Sequence, residues 1–129
     1  GPWGVYYANP SFYAVINSQR LAIPSVANST INQVCGAWLP NGDGSFRIEL
    51  YVDGVLVTTT TATHDSIQTP ATTVNSATLG DSTGNGLNNW FEGGISRFWM
   101  AELNQLGVEA DDVSELVALD YSENSGRYQ

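Results

Sequence analysis

The stretch that decides the fold is Ser45-Phe46-Arg47-Ile48-Glu49-Leu50-Tyr51-Val52-Asp53-Gly54-Val55-Leu56-Val57. Phe46, Ile48, Leu50 and Val52 are apolar at every second position, with Arg47, Glu49 and Tyr51 between them. Successive side chains on a strand point to opposite faces, so the pattern predicts a strand with one face in a core and one face wet. Asp53-Gly54 then separates this strand from Val55-Leu56-Val57 and a run of threonines. A two-residue Asp-Gly linker between alternating segments predicts a hairpin, because such a turn needs the positive φ that glycine tolerates.

Strand signals continue on both sides. Upstream, Trp3 to Ala8 and Ser11 to Asn17 read as a hairpin around Asn9-Pro10, and Arg20 to Ile23 as a short third strand ended by Pro24. Ile31 to Leu39 is the next strand, closed by the turn cluster Pro40-Asn41-Gly42-Asp43-Gly44. Downstream, Val74 to Leu79 reads as a short strand. Trp90 to Ala101 reads as a long one in which Gly93-Gly94 marks a bulge. After Glu102 the period changes. Val113, Leu116, Val117 and Leu119 suit one face of a short helix, with Asp111 and Asp112 at its N-terminal, dipole-favoured end. Tyr121 to Gln129 reads as a polar tail or linker. Gly1-Pro2 reads as the scar of a tag-cleaving protease, and residues 3–120 as one domain.

Composition narrows the function classes. A length of 129 residues suits one domain, and 42% hydrophobic content is enough to build one core. Thirteen acidic residues stand against four arginines (Arg20, Arg47, Arg97 and Arg127) and no lysine, a net charge of -9. Such a surface repels phosphate backbones and anionic lipid, so neither nucleic acid nor a membrane surface is an expected partner. No apolar run approaches the roughly 18 residues needed to span a bilayer. One cysteine, Cys35, cannot form an internal disulfide and reads as a small packed residue in Val34-Cys35-Gly36-Ala37-Trp38. The one histidine, His64, lies in a Thr-rich region far along the chain, so no Cys-His dyad is expected.

Two motifs carry a family resemblance. Phe46 to Val57 resembles the "LYVDG" hairpin of laminin-G-like domains, and Phe91-Glu92-Gly93-Gly94-Ile95-Ser96-Arg97-Phe98-Trp99 resembles their later "F-x-G-x-I-x-x-x-x-W/Y" strand. Val34 to Trp38 resembles the preceding "HHVA" strand, with Ile31 at the usual tryptophan and Asn32-Gln33 in place of the histidines. Glu115-Leu116 resembles the short acidic helix that closes such domains. The resemblance runs from Trp3 to Leu119. It implies an all-β, antiparallel jelly-roll β-sandwich of the concanavalin type with one short C-terminal helix. The family's opening "F-T-I-S-x-W" segment has no counterpart. The chain is therefore expected to be a fragment, to form a smaller sandwich, or to accept a strand from a neighbouring segment.

The candidate site is the loop Asp81-Ser82-Thr83-Gly84-Asn85-Gly86-Leu87-Asn88-Asn89-Trp90. Asp81, Asn85, Asn88 and Asn89 supply the carboxylate and amides that grip sugar hydroxyls, and Trp90 a ring for the apolar sugar face. Asp81 and Asn85, joined by Asp43 from another loop, are the oxygen donors from which a calcium site would be built. Asn28-Ser29-Thr30 is a glycosylation sequon. A retaining glycosidase needs two carboxyl groups about 5 Å apart. The nearest approach is Glu49 with Asp53, and Asp53 is explained by its turn. The expectation is therefore a non-catalytic module that binds glycan or a protein surface within a larger extracellular, cell-surface or virion protein. The alternatives are a structural subunit that self-associates through its sandwich and, third, a glycan-active enzyme.

Overall fold

The structure is a computed structural model, and it describes residues 3–8, 11–16, 19–23, 32–62, 97, 99 and 101–127. It shows a mostly antiparallel β fold with a C-terminal helix. β1 (Trp3–Ala8), β2 (Ser11–Ile16) and β3 (Gln19–Ile23) form one three-stranded sheet. β4 (Val34–Pro40), β5 (Phe46–Val52) and β6 (Val55–Ala62) form a second. Among the described residues every pairing is antiparallel and joins neighbours in sequence. The predicted strand at 74–79 lies outside the described residues, as does most of the one at 90–101. Arg97, Trp99 and Ala101 themselves lie outside any strand.

The Asp-Gly turn forms as the sequence predicts. Val52 pairs with Val55, which leaves a two-residue loop with Asp53 at φ 51° and Gly54 at φ 80°. Gly54 is constrained twice. Its backbone is left-handed, and a Cβ built on it would stand 3.0 Å from the Tyr121 Cβ. Beyond the turn the register slips opposite Leu50 and Tyr51, so that Leu50 faces Thr58 and Tyr51 faces Leu56, with Val57 as the extra residue.

β5 is buried on both faces, which corrects the expectation of a wet side. Ile48 and Leu50 are buried on the first face, with Leu21 of β3 and Val34, Trp38 and Val52 packed against them. Trp38 stacks on Phe46 with ring centroids 4.6 Å apart. The second face holds Leu39 and Tyr51 against Val113 and Val117 of the C-terminal helix, with Cys35, Ala37, Leu103, Val108 and Ala110 around them. Alternation announces two different faces but not what covers the second. Here the chain's own C-terminus covers it, so Glu49 is only 8% exposed.

The covering segment begins with one helical turn, α1 (Leu103–Leu106), stopped by Gly107 in the left-handed conformation. A 3-10 turn over Ala110–Asp112 leads into α2 (Val113–Asn124), and a second 3-10 turn spans Ser125–Arg127. The helix thus runs on into the stretch read as a tail. Its sheet-facing stripe is Val113, Leu116, Val117, Asp120, Tyr121 and Asn124. Leu119 is 54% exposed and does not belong to it, because six residues from Val113 at 100° each turn it to the far side.

Candidate functional site

Two polar networks sit where α2 and its approach meet the second sheet. The first is a row along β5. Tyr51 donates its hydroxyl to Glu49 Oε1 at 2.6 Å, and Arg47 Nε donates to Glu49 Oε2 at 3.1 Å. Arg47 also reaches the Pro40 carbonyl and Asn41 Oδ1, and through Nη2 the Ala110 carbonyl, with Asp111 at 3.5 Å. These are same-face residues spaced two apart on one strand, the arrangement that alternation enforces. Burial comes first in pushing the Tyr51 phenol well above its ordinary range, and its bond to the Glu49 carboxylate adds to this.

The second network gathers on Asp120. Its Oδ2 accepts from Gln33 Nε2 at 2.7 Å and from Trp99 Nε1 at 3.2 Å, and its Oδ1 from Arg97 and from Asn124 Nδ2. Burial alone would raise the Asp120 pKa. The hydrogen bonds from Arg97, Gln33 and Trp99 and the Arg97 charge outweigh it and hold the carboxyl below its usual range. Gln33 is the connector. Its amide N–H donates to Asp53 Oδ1 at 2.9 Å, its carbonyl accepts from Asp53 N, and its Oε1 accepts from Gly54 N at 2.9 Å. One side chain at the place of the resembled histidines therefore ties together β4, the hairpin turn and the helix.

Cys35 lies beside both networks. Burial pushes its thiol up to about 11, and the Asp120 charge adds to the shift. It is a protonated packing residue, as its apolar surroundings imply. His64 lies outside the described residues.

Of the site residues read from the sequence, Asp81, Asn85, Asn88, Asn89 and Trp90 lie outside the described residues, as does the sequon asparagine Asn28. Asp43 is described, on the exposed turn between β4 and β5. Its Oδ1 accepts from Ser45 N at 2.9 Å and from Ser45 Oγ, which hold the carboxyl below its usual range. That carboxylate closes its own turn. Among the described residues no group of three His, Cys, Asp or Glu side chains is placed to hold a metal ion. Nor is any described helix long and apolar enough to cross a membrane. Glu49 and Asp53, the nearest approach to a carboxylate pair in the sequence, have separate partners: Tyr51 and Arg47 for one, the Gln33 amide for the other.

The Asp120 cluster was not legible in advance. Its one local signal is an acid on the apolar stripe of a helix, three residues after Val117 and four before Asn124.

Compared with protein-family models, curated proteins and solved structures, the chain matches none. The described residues define its class by architecture: an antiparallel β protein whose second sheet is roofed by its own C-terminal helix.

Proposed function

We propose that this chain is a non-catalytic recognition module of the laminin-G-like, jelly-roll type, which binds glycan or a protein surface through the loop from Asp81 to Trp90. The observation that carries the reading is a division of labour among carboxylates. Glu49, Asp53 and Asp120 are each engaged by donors within the scaffold, and Asp43 closes its own turn. A general acid and base would need two carboxyl groups facing one reacting bond. The loop, by contrast, concentrates Asp81, Asn85, Asn88, Asn89 and Trp90, the residue types that recognise hydroxyls and a sugar face. Calcium, held by Asp81 and Asn85, would serve to order that loop rather than to react. An extracellular, cell-surface or virion setting suits such a module.

The test is a glycan array probed with the intact chain and with Trp90→Ala, each with and without chelator. Binding that the substitution abolishes supports the reading. Binding that survives it, or hydrolysis of a bound glycan, overturns it.

A second reading, a structural subunit that assembles through its sandwich, draws on β6. Val55, Leu56 and Val57 are 64%, 41% and 46% exposed in a row. A patch of that kind marks an interaction surface. Light scattering decides: a stable oligomer that Val57→Lys dissociates favours assembly, and a monomer favours the module.

A further inference from the structure

The roof over the second sheet is held by little apolar surface. Within α2 only Val113 and Val117 are buried. Its N-cap, Asp112, makes no side-chain capping bond, and no basic residue stands in its last turn. Asp120 occupies the C-terminal half of the helix, where the dipole disfavours a carboxylate. Helix formation by itself gives no reason for an acid there. Its tertiary partners do.

We propose that α2 is a releasable cover over the Cys35–Tyr51 face of the second sheet, clasped by the Asp120 carboxylate. The clasp reaches three separate parts of the chain. Arg97 and Trp99 donate from the segment before α1, Gln33 from the start of β4, and Asn124 from the next turn of α2 itself. Arg97 is the one cation among these partners, and the Cys35 thiol also senses the Asp120 charge. Opening the clasp removes the shared acceptor of all four donors at once. The helix then keeps its two buried valines, the packing of Tyr121 against Gly54 and a long bond of 3.4 Å from Gln33 Nε2 to the Val117 carbonyl. Lifting it bares Cys35, the single thiol of the chain, so the molecule carries its own reporter of release.

The test measures alkylation of Cys35 by iodoacetamide in the intact chain under native conditions, alongside amide hydrogen exchange at Ile48 and Leu50 of β5. Two variants are compared with the parent. Asp120→Asn removes the acceptor, but it also removes a negative charge near the thiol, which by itself speeds alkylation. Arg97→Gln keeps that charge and removes the guanidinium with its positive charge, a loss that by itself slows alkylation, so faster alkylation there reads release. Losing one charge-assisted bond of a partly exposed pair predicts a rise of about three- to tenfold in Arg97→Gln, and more in Asp120→Asn. Exchange at Ile48 and Leu50 is expected to stay slow in both, because release is local. Unchanged alkylation in Arg97→Gln overturns the proposal. So does a parallel rise in β5 exchange, which would make α2 part of one global unit. Should Asp120→Asn fail to fold, Arg97→Gln carries the test alone.

Discussion

Replacing Tyr51 by Phe removes one oxygen atom and no carbon, so it opens almost no cavity and isolates a single hydrogen bond. Tyr51 is 1% exposed, and its hydroxyl donates at 2.6 Å to Glu49 Oε1. After the change that oxygen faces an apolar ring edge beneath α2, where water has little access. The other oxygen keeps Arg47 Nε at 3.1 Å, so the carboxylate is left half-satisfied. A hydrogen bond to a charged group contributes about 1.5–3 kcal/mol, and the low exposure of both partners puts this one near the middle of the range. With a urea slope of about 1–3 kcal/mol per molar for a domain of this size, the unfolding midpoint should fall by about 1 M. Urea titration followed by circular dichroism reads this directly. Glu49→Gln and the double variant complete a cycle, in which a coupling of about 1–2 kcal/mol is expected. A midpoint shift in Tyr51→Phe of less than about 0.2 M would refute the reasoning. It would mean that the Glu49 face is wet after all.

Further outcomes can be checked alongside. Trp38 Nε1 is buried without a hydrogen-bond partner. Trp38→Phe, which keeps a ring to stack on Phe46, should therefore cost under about 1.5 kcal/mol, against about 3–5 for Trp38→Ala in the same melts. Gly54→Ala should lower the melting temperature by several degrees, since the residue has φ 80° and its new Cβ meets Tyr121. The folded-state pKa of Asp120 is lowered, so its stabilisation is present above the unfolded carboxyl value of about 3.9 and is lost as pH falls through the folded value. Acid titration from pH 5 downward should therefore accelerate Cys35 labelling by an acid-active pyridyl disulfide, and Asp120→Asn should flatten that dependence. Cys35 is shifted the other way, to about 11. Its labelling in the parent at pH 8 should run at least a hundredfold slower than in the urea-unfolded chain, and equal rates would show the thiol to be open.

Local chemistry makes much of this protein readable in its sequence. The Asp53-Gly54 turn, the alternation of β5 and the Pro-Asn-Gly cluster before it placed the β4–β5–β6 meander to within a few residues, because turn geometry and side-chain alternation are properties of neighbours in the chain. The helix after Asp112 was announced by its spacing for the same reason. Its length was not. The polar residues from Tyr121 onward look like a tail until Gly54 is found against Tyr121 and Gln33 against Asp120. The proposed loop from Asp81 to Trp90 rests on composition alone.

What only the tertiary structure decided is the meaning of the second face of β5. Sequence alternation separated Arg47, Glu49 and Tyr51 from Ile48 and Leu50, but two faces of a strand differ in the same way whether the polar one meets water or a helix. Covering it converted an apparent solvent face into a buried ion-pair row. It also gathered Gln33, Arg97, Trp99 and Asn124 around Asp120, in contacts spanning up to 87 residues. Separations of that size carry no local signal, because they are fixed by where packing brings the chain back on itself rather than by any run of neighbouring residues.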